Sequence, residues 1–276
     1  MQQMKEPDLY IDLDKNIRES NSAFLKKMPQ FIINLLKRIV MQQEFNVLLT
    51  SLGDVKGNAF LNGTLQKLNI TVKINGLENL PENGRCIFAA NHPFGVIDGL
   101  ILTHTVSTKY GTLRAIANDA FNLIPQLNEF ITDVNVYGTS SKEKINALNA
   151  IYDSEHSITH FPAGEVSRVY DGKVQDAMWQ KSFIKKAVES KRDIVPFHFH
   201  GENSKLFYFL FRLRKSLGLK MNIELMLLPR EFFNKKNQTI ELTIGKPIPY
   251  TTFDNSKNHQ EWANYLREGV YKLASL

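Results

Sequence analysis

The chain has a single cysteine, Cys86, so neither an intrachain disulfide framework nor a multi-cysteine zinc site is open to it. It also lacks any run of 18 apolar residues, which leaves no helix long and apolar enough to span a bilayer unaided. Residues 1–14 are polar and mixed in charge, with no basic stretch leading into an apolar one. A secretory signal is therefore not expected, and the reading is an intracellular protein, soluble or peripheral. Acidic residues are the scarcer charge: 28 Asp and Glu against 34 Lys and Arg leave a net charge of +6. That balance favours an anionic partner (membrane surface, nucleic acid or phosphorylated substrate) without choosing among them. What is present is ordinary: of 276 residues, 43% are hydrophobic and 22% charged, enough to bury a core without disulfides or a structural metal.

Two textures divide the chain. Over 21–52 the pattern is helical, with Phe24, Leu25, Met28, Phe31, Ile32, Leu35, Leu36, Ile39 and Val40 recurring at spacings of three and four. Lys26, Lys27, Lys37 and Arg38 lie mostly off that face, and Pro29 marks a first turn or a kink. Taken alone, such a stripe is more often packed on a neighbouring domain than laid in a membrane interface. After Gly53 the pattern turns to alternation. Strands are predicted over 70–74, 86–90, 113–117, 134–137, 157–161, 193–199, 223–228 and 239–244, and helices over 97–109, 120–131, 141–152, 177–189, 204–217 and 260–273. Gly218 is placed as the C-cap of the helix over 204–217. The expected fold is α/β: a mostly parallel central sheet flanked by helices, with an N-terminal helical arm. The expected division is 1–68 for the helical, membrane-associating segment and 69–276 for the catalytic domain.

In an open parallel sheet, ligands gather at the C-terminal ends of strands. Polar residues stand at three such ends: Asn91 to Gly99 after 86–90, His160 to Arg168 after 157–159, and His200 to Ser204 after 193–199. His92 is followed by Asp98 six positions later, and Pro93 and Gly95 force a turn between them. Such a turn can bring the carboxylate back to the imidazole, where it would fix the tautomer and support the imidazolium. No protein nucleophile is obvious beside the pair, so the deprotonated group would belong to a substrate. A second reading stays open, in which His92 is a satisfied structural histidine and Asp98 caps the next helix.

The run Asn91-His92-Pro93-Phe94-Gly95-Val96-Ile97-Asp98-Gly99 resembles the first block of the glycerolipid (lysophospholipid) acyltransferase superfamily. In its bacterial hemolysin-like branch five residues separate the histidine from the aspartate, as they do here. Phe161 to Arg168 resembles the third block. Val195-Pro196 with His198 to Gly201 is similar to the fourth, and Gly245-Lys246-Pro247-Ile248 to the closing signature. The resemblance implies a fatty acyl transfer from acyl-acyl carrier protein or acyl-CoA to the hydroxyl of a lysophospholipid or a 3-hydroxyacyl amino-acid lipid. The thioester would be a co-substrate, and no cofactor is implied. It makes His92 the general base and Asp98 its orienting partner. It also makes Asn91, Gly164, Glu165, Ser167, Arg168 and His200 the substrate-binding set. Here Ala163 stands at the usual glutamate position, Glu165 follows the glycine, and Arg168 sits late. These departures weaken a phosphate-bearing acceptor and suit the variant branch. Arg114 is a candidate for the second-block arginine.

A thioester is already reactive, so a positioned base and oxyanion donors near Gly164 or in the turn from Pro93 to Gly95 would suffice. His198 and His200 share one strand face and could join His92 or His160 at a metal, but no acidic or thiol partner stands at ligand spacing, and the expectation is no metal. Cys86 reads as core filling. The segment from Lys205 to Lys215 is aromatic and then basic. A lipid substrate must leave a bilayer, so Lys26, Lys27, Phe207, Phe211, Arg212, Arg214 and Lys215 are assigned to membrane contact. The expected location is the cytoplasmic face of the inner membrane, peripherally bound, with no nucleic-acid partner. Two rivals remain: a metal-assisted hydrolase built on the histidines, and a non-enzymatic, hemolysin-like membrane-binding protein.

Overall fold

The computed structural model describes residues 10–116, 124–130 and 142–275. The described chain begins with five helices: α1 (Leu13–Glu19), α2 (Ala23–Lys26), α3 (Gln30–Ile39), α4 (Gln42–Leu52) and α5 (Gly57–Lys67). Then come β1 (Thr71–Asn75), β2 (Ile87–Ala90), α6 (Val96–Tyr110), β3 (Leu113–Ile116), α7 (Lys142–Asp153) and β4 (Ser157–His160). The hairpin β5 (Arg168–Tyr170) and β6 (Lys173–Gln175) leads to α8 (Ser182–Glu189), β7 (Ile194–Phe199), α9 (Lys205–Ser216), α10 (Leu228–Phe233), β8 (Thr239–Ile244) and α11 (His259–Lys272).

Among the described residues the main sheet has six strands in the order β1-β8-β7-β2-β4-β3, all parallel to their neighbours except β7 against β8. The period-two pleat divides the side chains of β2 between two cores. Phe88 and Ala90 join Phe60, Leu61, Leu65, Ile97, Ile101, Val195, Phe197 and Leu242 on one face. Ile87 and Ala89 join Tyr152, Trp179, Phe183, Ile184, Trp262 and Leu266 on the other. A strand covered on both faces has no polar position, which is why Ile87 to Ala90 carries none. Leu48, Leu49 and Leu52 of α4 and Phe60, Leu61 and Leu65 of α5 lie in the first of these cores, with α5 packed against α6 and α4 against α5.

Several elements differ from the sequence expectation. The segment read as a strand over 223–228 is a 3-10 turn, Ile223–Leu227, running into α10. Its apolar run fits either period, and Pro229 in the first turn of α10 decides for helix. Helix α5 lies where alternation was expected, because Gly57, Gly63 and two asparagines dilute its helical signal while Phe60, Leu61, Thr64 and Leu65 still share a buried face. The helix expected from 177 begins only at Ser182, since the Gln180 N–H is drawn to the Pro162 carbonyl at 3.0 Å. Of the helix expected over 120–131, residues 124–130 form a 3-10 turn, Pro125–Leu127, and a following turn. The rest of that helix and the strand expected over 134–137 lie outside the described residues. The stripe on α2 and α3 is split: Phe24, Phe31 and Leu35 point outward, 78%, 73% and 55% exposed, while Leu25, Met28, Ile32, Leu36, Ile39 and Val40 are half-buried.

Candidate active site

Strand β2 ends at Ala90, and the chain then has to turn sharply into α6. Gly95 makes that turn with φ +92, a conformation costly for any other residue, and a Cβ there would press Leu228 at 3.0 Å. The turn swings Asp98, in the first turn of α6, back beneath His92. Nδ1 of His92 and Oδ2 of Asp98 are 3.1 Å apart, with the carboxylate fully buried and the imidazole side chain 15% exposed. Oδ2 also accepts the Phe94 N–H at 2.9 Å. Asp98 therefore ties down the turn at the helix N-terminus and faces the imidazole at once. With Nδ1 turned to the acid, Nε2 is left to take a proton. The ring stacks on Phe161 at 4.0 Å between centroids. Burial pulls the His92 pKa down, but Asp98 and Asp176 outweigh it, and the imidazole titrates above its ordinary value.

The main chain of His92 is held from both sides. Its N–H donates to Oδ1 of Asp176 at 3.1 Å, and its carbonyl accepts the Ser167 N–H at 2.7 Å. The Ser167 hydroxyl donates to the same Oδ1 at 2.5 Å. Ser167 is thus buried against Asp176, a residue that sequence reading missed. Asn91 is buried too: its amide accepts the Phe199 N–H at 2.7 Å and donates to the Phe199 carbonyl at 2.9 Å, pinning the end of β2 to the end of β7. Asn91 acts as a brace for the loop.

Gly164, at φ +71, gives its N–H to the Phe161 carbonyl at 2.9 Å, so that donor is already engaged. Glu165 is partly exposed, 3.1 Å from Nη1 of Arg168, and accepts the Tyr170 hydroxyl at 2.8 Å. Arg168 is 1% exposed; Nε donates to Glu224 at 2.9 Å and Nη1 to the Val166 carbonyl at 2.6 Å, while Nη2 is buried without a protein partner. Glu224 is shared with Arg214, whose Nε lies 2.8 Å from Oε2, and both guanidinium groups lie within 6 Å of the Phe211 ring, at 5.7 and 5.4 Å. The fold therefore spends Phe207, Phe211 and Arg214 internally, which corrects their assignment to membrane contact. The outer face of α9 carries Leu206, Phe209, Leu213 and Leu217, beside exposed Arg212 and Lys215. Lys26 and Lys27 are exposed at the end of α2.

His200 is half-buried, with Nε2 2.8 Å from the Thr243 hydroxyl, and stands edge-on to His198 at 4.7 Å. Burial pushes His160 and His198 down to about 4 each, His200 adding to the effect at His198. Among the described residues no three His, Cys, Asp or Glu side chains are grouped to hold an ion. Arg114 of β3 gives Nη1 to the Leu113 and Glu129 carbonyls at 3.0 and 2.8 Å. Lys235, also unforeseen, is buried with Nζ 4.2 Å from the Phe94 ring centroid and 2.9 Å from the Glu202 carbonyl, bracing the turn from outside. The hairpin that carries Arg168 turns on Asp171-Gly172, both at positive φ. That dipeptide between two short β-prone runs was the available signal for it.

Residues 15–276 match a family described as Acyltransferase. The chain is 39% identical over 264 residues to a lyso-glycine lipid O-acyltransferase of Phocaeicola vulgatus, with 95% of each chain covered. It is 38% identical over 264 residues to a lyso-glycine lipid O-acyltransferase of Bacteroides thetaiotaomicron, covering 95% of this chain and 97% of that one. A solved structure, the 1-acyl-sn-glycerophosphate (LPA) acyltransferase PlsC from Thermotoga maritima, overlaps with a TM-score of 0.46 at 17% identity, covering 96% of this chain and 88% of that one.

Proposed function

The chain belongs to the acyltransferase family, and from that premise we propose that it esterifies the hydroxyl of an amino-acid lysolipid, a glycine lipid, with a fatty acyl group taken from a thioester. The observation that carries the reading is the His92–Asp98 contact of 3.1 Å at the mouth of the β2–α6 turn. Nε2 of His92 takes the proton as the acceptor oxygen attacks the thioester carbonyl carbon. The resulting imidazolium is supported by Asp98. When the tetrahedral intermediate collapses, the C–S bond breaks and His92 returns the proton to the leaving thiol. The first N–H groups of α6 have no partner within the helix and would suit the oxyanion. The donor is acyl-acyl carrier protein or acyl-CoA, and both present the same thioester to this chemistry.

Arg168 supports the choice of acceptor. A glycine acylated on its amine keeps a carboxylate, and the unpartnered Nη2 of Arg168 is a buried donor beside the His92 loop suited to it. Its Nε and Nη1 are already engaged by Glu224, Val166 and Glu165, which leaves less for a phosphate dianion. The lipid is reached from the membrane surface: Phe24, Phe31 and Leu35 of the N-terminal helices and Leu206, Phe209 and Leu213 of α9 are exposed apolar side chains with Lys26, Lys27, Arg212 and Lys215 near them in sequence. The proposed location is the cytoplasmic face of the inner membrane. No helix among the described residues is long and apolar enough to cross a membrane.

The test offers purified protein an N-(3-hydroxyacyl)glycine and a lysophosphatidate in competition, with acyl-acyl carrier protein or acyl-CoA as donor, and follows products by mass spectrometry. The expected product is the O-acylated glycine lipid. Exclusive acylation of the lysophosphatidate would contradict the acceptor assignment and leave the transferase chemistry standing.

A further inference from the structure

We propose that Asp176 is a positioning residue of the active site, holding the His92 main chain so that the imidazole stands between Asp98 and the incoming hydroxyl; this rests on His92 being the base. Asp176 follows β6 directly and is 1% exposed. Oδ1 accepts the His92 N–H at 3.1 Å and the Ser167 hydroxyl at 2.5 Å, and Oδ2 accepts the Trp179 indole N–H at 2.8 Å. Ser167 closes the ring by donating its own N–H to the His92 carbonyl at 2.7 Å. One carboxylate–hydroxyl pair thus grips both sides of the base's main chain. Helix α11 fixes the grip: the Asp176 N–H donates to the Tyr271 hydroxyl at 2.8 Å, and Nη2 of Arg267 donates to the Asp176 carbonyl at 2.7 Å.

The choice of an acid at this point is informative. Among the described residues no lysine or arginine pairs with the Asp176 carboxylate, and its three hydrogen-bond donors are all neutral. A neutral amide would offer its one oxygen to His92 and Ser167 but turn its NH2 group onto the Trp179 indole N–H, so the three donors by themselves already call for a carboxylate. That carboxylate also lies close to the imidazole. The charged groups facing His92 are Asp98 from α6, Asp176 after β6 and Arg168 at the start of β5; the two acids favour the imidazolium and the arginine opposes it. Burial holds the Asp176 carboxyl above its ordinary value, and the bonds from Ser167, Trp179 and His92 offset part of that rise in favour of the charged form. Asp98 and Asp176 therefore share the work of supporting the positive charge that forms when His92 takes the acceptor's proton.

The experiment measures kcat, KM and the pH dependence of kcat for full-length Asp176→Asn and Ser167→Ala, with His92→Ala in the same assay. For Asp176→Asn the expected result is a kcat roughly tenfold lower with KM within about twofold. The acid limb of kcat should move to lower pH by about half a unit to one unit. Ser167→Ala should move the limb in the same direction by less, because losing that donor lets burial neutralise Asp176. That variant decides the matter if Asp176→Asn does not fold. A wild-type kcat and limb in Asp176→Asn, or a raised KM with an unmoved limb in Ser167→Ala, would overturn the proposal. An active His92→Ala would remove the base itself. An inactive His92→Ala beside an unperturbed Asp176→Asn would remove only the positioning role.

Discussion

Strand β2 lies between β7 and β4; His92 stands just past the end of β2, His160 ends β4 and His198 is one residue short of the end of β7, yet these three rings are not equivalent. His92, two residues past β2, stands 3.1 Å from a buried acid and is lifted above its ordinary pKa. His160 and His198, within β4 and β7, have no carboxylate paired with the ring among the described residues and are pushed down by burial to about 4. The side chain is the same and the depth similar; the carboxylates make the difference. Where the chain leaves the sheet a following helix can bring an acid to the ring, and among the described residues the β2–α6 turn does so. Being a histidine at a strand end is therefore not enough to be a base.

The largest effect expected is at His92. His92→Ala should lower acyl transfer by roughly 10³-fold or more, with the melting temperature close to wild type. Retained turnover would erase the contrast. Asp98→Asn, which keeps the shape and removes the charge, should cost roughly 10²-fold. Next is the outer surface. Phe31→Asp with Phe209→Asp should weaken sedimentation with anionic vesicles about tenfold while leaving the fold intact, since both side chains are exposed. Unchanged vesicle binding would count against that surface.

The smallest effect on rate is expected at the other two histidines. His160→Gln and His198→Gln should leave kcat within about threefold, because neither ring faces an acid. Their signature is in stability instead. Each has a folded pKa of about 4, below the ordinary 6.5, so folding favours the neutral ring. The stability this contributes is full above pH 6.5 and lost as pH falls toward 4, where the unfolded chain binds the extra protons. The double variant should therefore lose less melting temperature than wild type between pH 7 and pH 4, read by calorimetry or circular dichroism. An equally steep loss would show that these rings are not held neutral by the fold.

The sheet and the dyad were legible because their signals are local. The apolar run from Cys86 to Ala90 and the short turn from His92 to Asp98 each fit inside one window of sequence. The β5–β6 hairpin has an equally local signal in Asp171-Gly172, both at positive φ. Asp176 was not legible in this way. It reaches His92 across 84 residues, and nothing near either position announces the bond. The fate of Arg168 and Arg214 was hidden for the same reason: Glu224 sits in a segment whose apolar run reads as strand, and its burial between two guanidinium groups depends on how α9 docks. On α9 the basic and aromatic residues could be counted from sequence. Which of them turn inward depended on the partners awaiting Phe207, Phe211 and Arg214.

The most direct test of His92 as the base is to follow its ring by NMR in the folded wild-type protein and to compare that titration with the acid limb of kcat/KM. The two should coincide, at a pH above 6.5, and should move down together in Asp98→Asn, because an acid that supports the imidazolium raises the pH at which the ring becomes neutral. A His92 ring that titrates below 6.5 alongside His160 and His198, or a kcat/KM limb that does not follow it, would contradict the assignment.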